Sequence, residues 1–276
     1  MLSQKQLTDI KELQLVCEQE EAIHLKLNWD MLEMRNEQEL TDFFHYEKEK
    51  LVGFLGLYGF GSKVEICGMV HPSYRRKGIF TRLLGEGLEE MKKQGTETIL
   101  LNAPANSSSA QGFLQSFSCR LSFSEYQMKW VETDLGSEEF IEIRKSTLDD
   151  LETEIQLDVQ CFGFKEEEAR KYNKRIRKED TQIHYVIEKD QQAVGKIRVQ
   201  HLDGEAWIYG FAIFPSFQGQ GLGRKALKRV IREQHALGYP IFLEVETKNA
   251  NALNLYQSCG FQTVMAQDYY QLTLKS

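Results

Sequence analysis

Along the second half of the chain, apolar and polar positions fall into short runs of period two separated by longer stretches of helical period. Phe140-Ile141-Glu142-Ile143-Arg144 alternates like a strand, and a helical region extends from there through about Lys178. Ile183–Glu188 and Ala193–Val199 read as a hairpin with its turn at Lys189–Gln192. Ala206–Phe214 is a third long apolar strand, followed by a glycine-rich loop. The next helix carries Leu222, Ala226, Leu227, Val230 and Ile231 on one face and ends near Gly238. A buried strand (Ile241–Val245), a helix from about Asn251 to Ser258 and a final strand (Tyr269–Leu274) complete the pattern.

The same order of elements occurs in the first half, and the glycines and prolines mark it. Gly53 and Gly195 lie 142 residues apart, as do Gly68 and Gly210; Pro72 and Pro215 lie 143 apart, as do Gly78 and Gly221. Leu114-Gln115-Ser116 precedes Tyr256-Gln257-Ser258 by 142. A fixed offset over most of each half predicts two copies of one domain. The polar stretch from Glu132 to Glu138 is the expected boundary, giving domains over 1–133 and 138–276. So short a linker predicts copies that pack together, a monomer with an internal pseudo-dimer.

Composition narrows the partners. Forty-one acidic against 34 basic residues give a net charge of −7, which disfavours a nucleic-acid footprint. The local basic run Arg170-Lys171, Lys174-Arg175, Arg177-Lys178 reads as a solvated helix face. The five cysteines lack any C-x-x-C, so neither a disulfide framework nor a zinc site is indicated, and His184, His201 and His235 have no neighbours at metal-ligand spacing. No apolar stretch of about 18 residues occurs, and the N-terminus lacks a signal-peptide core. The expectation is a cytoplasmic protein without membrane or metal.

The chemistry is concentrated in Phe217-Gln218-Gly219-Gln220-Gly221-Leu222-Gly223-Arg224, between a strand and an amphipathic helix. Glycines there allow the main chain to approach a ligand, and a helix N-terminus offers unpaired N–H groups with the positive end of a dipole. Arg224 and Lys225 add charge at the rim. The spacing does not fit the dinucleotide pattern G-x-G-x-x-G, no acidic residue follows at the required distance, and no P-loop lysine is present.

Gln218-Gly219-Gln220-Gly221-Leu222-Gly223, following Ile213-Phe214-Pro215, resembles the Q/R-x-x-G-x-G/A signature of the GCN5-related N-acetyltransferase family. A second stretch, from Leu243-Glu244-Val245 through Asn249 to Leu255-Tyr256-Gln257-Ser258-Cys259-Gly260-Phe261, resembles the family's strand-loop-helix ending in L-Y-x-x-x-G-F. Its spacing is similar to the branch that acetylates N-termini of ribosomal proteins. The resemblance covers 138–276 and, more faintly, 1–133. It implies an α/β (mixed α+β) fold: two tandem domains, each a twisted, mostly antiparallel mixed sheet flanked by helices, packed as a pseudo-dimer. It also implies acetyl-CoA as cosubstrate. The N–H groups of Gly219, Gln220, Gly221, Leu222, Gly223 and Arg224 would hold the pyrophosphate, the main chain of Phe211 and Ile213 would pair with the pantetheine arm, and Asn249 would bind near it. Tyr256 would protonate the departing thiolate and Glu244 would serve as base. A phenol of pKa about 10 is a suitable acid for a thiolate of pKa about 8.5. The Ile213 N–H is a candidate donor to the thioester carbonyl.

The first copy keeps the loop as Arg75-Arg76-Lys77-Gly78-Ile79-Phe80, with Phe80 where the last small residue belongs. Asn102 replaces Glu244 and Leu114 replaces Tyr256, so this copy is expected to support the second, to shape its acceptor cleft, or to hold CoA without turnover. The expected function is transfer of acetyl to a primary amine of a small molecule. Its rivals are a protein N-terminal acetyltransferase and a non-catalytic acyl-CoA-binding regulatory protein.

Overall fold

A two-residue turn in the left-handed region shapes the second half: Asp190 (φ 51°) and Gln191 (φ 63°) reverse the chain where the sequence predicts a hairpin. The computed structural model describes residues 2–35, 40–60, 63–137 and 140–272. Glu138, at the expected boundary, and Thr273 and Leu274 of the expected last strand lie outside the described residues.

In chain order the first half contains α1 (Gln4–Glu21), α2 (Trp29–Glu33), β1 (Asp42–Glu47), β2 (Lys50–Phe60), β3 (Lys63–Val70), α3 (Ile79–Lys93), β4 (Thr98–Pro104), α4 (Ser108–Leu114) and β5 (Cys119–Trp130). The second half contains β6 (Glu142–Lys145), α5 (Leu151–Phe162), α6 (Glu166–Ile176), β7 (Gln182–Lys189), β8 (Gln192–Leu202), β9 (Glu205–Ile213), α7 (Leu222–Ala236), β10 (Ile241–Glu246), α8 (Ala250–Ser258) and β11 (Phe261–Leu272). The helical region expected up to Lys178 is two helices, because Gly163 takes a left-handed conformation and ends α5. The last strand begins eight residues before the expected Tyr269.

The chain forms two compact units, Met1–Glu125 with Met265–Ser276, and Tyr126–Val264. These limits differ from the repeat boundary because the end of β11 joins the first unit, where Gln267–Gln271 pairs antiparallel with Leu100–Pro104 of β4. The first unit's strands run β1-β2-β3-β4 and the second's β10-β9-β8-β7-β6, while β5 and β11 each contribute residues to both units. Each contains one parallel pair beside antiparallel ones: β3 with β4, and β9 with β10.

In the second unit Leu227, Val230 and Ile231 of α7 pack on Ile197, Val199, Ile208, Leu243 and Val245. In the first, Leu83, Leu84 and Met91 of α3 pack on Leu55, Leu57, Ile66, Ile99 and Leu101. These are the apolar stripes that the helical period exposes. No described helix is long and apolar enough to cross a membrane.

The two ladders differ by one residue. In the first unit β2 and β3 pair without interruption from Gly53↔Val70 to Phe60↔Lys63. In the second, the register of β8 and β9 shifts between Lys196↔Ala212 and Arg198↔Tyr209. A bulge therefore sits at Gly210–Phe211, and Gly210 has φ 55°. The repeat offset records this extra residue: it is 142 at Gly68/Gly210 and 143 at Pro72/Pro215.

Candidate functional site

The glycine loop of the second unit hangs from the end of β9. Gln218 donates from Nε2 to the Ile213 carbonyl at 2.9 Å, which ties the loop back onto the strand it leaves. Gly219 (φ 75°) and Gly221 (φ 79°) then turn the chain into α7. Gly221 is the N-cap and no side chain caps the helix, so its first N–H groups are presented by bare backbone. Gln218, Gly219, Gln220 and Gly221 are exposed. The Gln220 side-chain oxygen Oε1 accepts from Lys189 (2.6 Å), and Arg224 donates to the Ser258 hydroxyl (2.8 Å). Leu222 packs against the core. A Cβ on Gly223 would lie 3.5 Å from the Phe211 ring and 3.7 Å from Leu255, ordinary contact distances.

Beside this loop the sheet splits. The β9–β10 pairing ends at Ile208↔Leu243, so the remainder of β9 diverges from β10. The Phe214 N–H donates to Val194 at 2.9 Å, so by strand alternation the N–H and carbonyl of Ile213 point away from β8. The Ile213 carbonyl is engaged by Gln218 and by the Cys161 thiol (3.4 Å). Glu244, half-buried, is the first residue of β10 beyond the last pair. Tyr256 on α8 is buried against Phe261, rings 6.0 Å apart, and no described residue hydrogen-bonds its hydroxyl. Burial pushes its phenol up to about 12. Asn249 caps α8, its Oδ1 accepting from the Ala252 N–H at 3.1 Å. That local task leaves its side-chain N–H₂ donors available for other contacts. Glu244, Asn249 and Tyr256 thus come from one strand-loop-helix segment, and Phe211, Ile213 and residues 218–224 from the preceding strand and loop.

Sequence reasoning passed over the other sheet face of the second unit. There Lys196 on β8 donates to Asp158 on α5 (2.6 Å), and Asp158 accepts from Asn173 on α6 (2.6 Å). Glu154, 1% exposed, pairs with Arg177 at 2.7 Å. Burial lowers the Lys196 ammonium below its ordinary pKa, and the Asp158 carboxylate opposes that shift. Lys196, Asp158, Asn173 and Glu154, with Tyr172 and Arg198, line a small cavity of about 20 Å³, roughly room for one water. The available signal was the alternation of Lys196, Arg198 and Gln200 with buried Ile197 and Val199.

The first unit repeats the loop with different side chains. Arg75 stands where Gln218 does, and its Nε donates to the Val70 carbonyl at 3.1 Å, the same staple. The Cys17 thiol also reaches that carbonyl (3.5 Å), as Cys161 does in the second copy. Arg76 takes φ 64° at the place of Gly219, and Gly78 takes φ 77°. Arg75 also pairs with Glu21, whose carboxylate accepts from the Ser107 hydroxyl (3.0 Å) and the Ser109 N–H (3.2 Å). Burial alone would raise Glu21, but Ser109, Ser107 and Arg75 outweigh it and hold the group down to about 2. Between the diverging ends of β3 and β4 lies a cavity of about 450 Å³, lined by Met69, Arg76, Phe80, Asn102 and Phe113 among others. The larger of the two described cavities is therefore in the copy without the expected acid and base. Phe80 lies edge-on to Phe113 (4.9 Å).

The comparisons with known proteins agree with this doubling. The Acetyltransferase (GNAT) family matches residues 7–117 and again 148–261. The chain is 39% identical over 71 residues to a ribosomal protein bS18-alanine N-acetyltransferase of Escherichia coli (strain K12), covering 25% of this chain and 48% of that protein. It thus spans about half the length of that curated relative. A GCN5-related N-acetyltransferase from Sphaerobacter thermophilus superposes with a TM-score of 0.78 at 16% identity, covering 95% of this chain and 91% of that one. A tandem GNAT protein from the clavulanic acid biosynthesis pathway superposes at 0.70 and 14% identity, covering 100% and 98%. The likeness to these two is one of fold. The chain belongs to the GNAT acetyltransferase family and carries the family's domain twice.

Proposed function

We propose that the second unit transfers acetyl from acetyl-CoA directly to a primary amine of a small molecule. The observation that carries this reading is the split beside β9, flanked by the uncapped N-terminus of α7 and by Tyr256 and Glu244. In the proposed step the amine nitrogen attacks the thioester carbonyl carbon. The C–N bond forms, the C–S bond breaks, the proton lost by the amine goes to Glu244, and the CoA thiolate takes a proton from Tyr256. The loop N–H groups of residues 219–224 hold the pyrophosphate, and the Ile213 N–H faces the thioester oxygen. Its raised pKa keeps Tyr256 protonated throughout the neutral range. No covalent intermediate is required, and the buried thiol Cys259 has no part in the step.

The experiment is thiol release from acetyl-CoA with a panel of primary amines. Tyr256→Phe is expected to lower kcat by about 10²–10⁴-fold while acetyl-CoA binding persists. An unchanged kcat at saturating substrate would remove Tyr256 from the mechanism. Tight acetyl-CoA binding without amine-dependent thiol release would favour a binding protein.

A second reading, transfer to a protein N-terminus, is favoured by the relative named for bS18-alanine N-acetylation. Peptides compared with small amines in the same assay separate the two. The first unit is proposed to hold CoA without turnover. Its loop keeps the same backbone and its cavity is open, but Asn102 and Leu114 cannot move a proton.

A further inference from the structure

One cation on the polar face of the second unit has no anionic partner among the described residues. Lys196 is paired with Asp158 and Arg177 with Glu154. Arg198 pairs with no carboxylate among the described residues. Its guanidinium donates to the Tyr172 hydroxyl (2.9 Å) and to Gln182 Oε1 (3.2 Å), both neutral acceptors. Two ring faces hold it, Tyr172 at 5.7 Å and Tyr209 at 5.2 Å. A guanidinium has five N–H donors, so three remain for a ligand. Burial, Arg198 and Arg177 together push His184 down to about 4, so that neighbour is neutral and does not compete for an anion.

Register puts this cation in line with the proposed base. Arg198 pairs with Tyr209 across β8 and β9. Leu243 pairs with Ile208, so Glu244 is level with Tyr209 on β10. All three occupy one sheet face: Trp207 stacks on Phe242 at 5.0 Å and on Tyr209 at 6.1 Å, and Glu244 follows Phe242 by two residues. The row Arg198–Tyr209–Glu244 thus crosses three strands beside the bulge at Gly210, with its outer members about 10 Å or more apart at the backbone. The Arg198 guanidinium lies over the Tyr209 ring, and Glu244 stands level with Tyr209 on the neighbouring strand. The gap between them suits a molecule with an amine at one end and an anion at the other.

Building on the transferase reading, we propose that the acceptor is a primary amine bearing a carboxylate, clasped by Arg198 while its amine faces Glu244. A fixed, ring-stacked guanidinium takes a carboxylate in a fork, which gives orientation as well as attraction. The carboxylate is unchanged by the reaction. It comes either from a free amino acid or from an acidic side chain near a peptide N-terminus.

The test uses the full chain with matched acceptors: amino acids, their amides, the corresponding decarboxylated amines, and peptides with aspartate or asparagine at the second position. Carboxylated acceptors are expected to exceed their amides in kcat/KM by about tenfold or more. Arg198→Gln should erase that preference through KM, with kcat at saturation nearly unchanged, and Arg198→Lys should restore part of it. A preference confined to free amino acids identifies that source; one confined to the aspartyl peptides identifies the other. Equal rates for acid and amide, or an Arg198→Gln loss that is uniform across the panel, overturn the proposal. Calorimetry with acetyl-CoA distinguishes the failures. Binding without turnover on any acceptor sinks the transferase reading, and the carboxylate preference is then judged on acceptor affinity, where equal affinity for acid and amide overturns it.

Discussion

Beneath α1 and α2 the first unit closes one sheet face with Ile10, Leu13, Cys17, Phe54, Tyr58 and Met69, an apolar cluster separate from the one under α3. The equivalent face of the second unit carries Lys196 at the place of Phe54, Arg198 at that of Gly56 and Gln200 at that of Tyr58, each 142 residues on. Its α5 brings Glu154 and Asp158, 144 residues after Ile10 and Gln14, the same step that relates Cys17 to Cys161. One fold is therefore built with either lining. Burying charge is costly even when the charges are paired, and an apolar replacement is often as stable. The first unit demonstrates the apolar solution within the same chain. Retention of the charged one beside the split is what directs attention to function there.

The comparison can be broken most forcefully at the buried pair. Lys196→Met leaves Asp158 without its cation and should destabilise the second unit by about 3–5 kcal/mol, read as an earlier urea transition. Lys196→Phe with Asp158→Gln copies the residues of the first unit and should recover most of that loss. A single replacement costing nothing would show that the charges are not held as a network.

The aligned glycines give a smaller contrast. A Cβ at Gly68 would lie 2.7 Å from the Phe54 carbonyl oxygen, so Gly68→Ala should cost about 1–3 kcal/mol by overpacking. Gly210 has open space around it and a positive φ, so Gly210→Ala should cost only about 1 kcal/mol, through the backbone. Equal losses in thermal melts would contradict the difference in ladder geometry.

The smallest effect is expected at Glu21. Its folded-state pKa lies below the unfolded value, so its contribution is present above pH 4.5 and is lost as pH falls through about 2. Glu21→Gln should flatten the acid side of the first unit's stability curve. The second unit, with Lys165 144 residues on, has no counterpart to lose.

Much of this was legible because glycine and proline are constrained by backbone geometry. Gly78, Gly219 and Gly221 announced the loops, and the repeat fixed the order of elements. The bulge was also written in the sequence, as the step in offset from 142 to 143, but a one-residue change has no meaning until the ladder shows where it falls. The polar face was hidden for a different reason. Lys196, Arg198 and Gln200 alternate with apolar neighbours just as a solvent-facing strand would, and only the packing of α5 and α6 shows that they are covered. Residues 261–268 carry a mixed pattern, so their membership in β11 depended on pairing partners far away in sequence. The 450 Å³ cavity depends on volume left unfilled by Ala103, Asn102 and Leu114, which no motif records.

The staple from Arg75 and Gln218 to the preceding strand alters how the first letter of the signature is read. An arginine ahead of a phosphate-binding loop invites a tally of positive charge. Here its Nε does the work of a glutamine amide, and its remaining charge faces Glu21. That ion pair brings no net charge to its corner of the first unit's cavity. In both copies the position supplies reach and an N–H donor to the strand carbonyl, so arginine and glutamine do the same architectural work there.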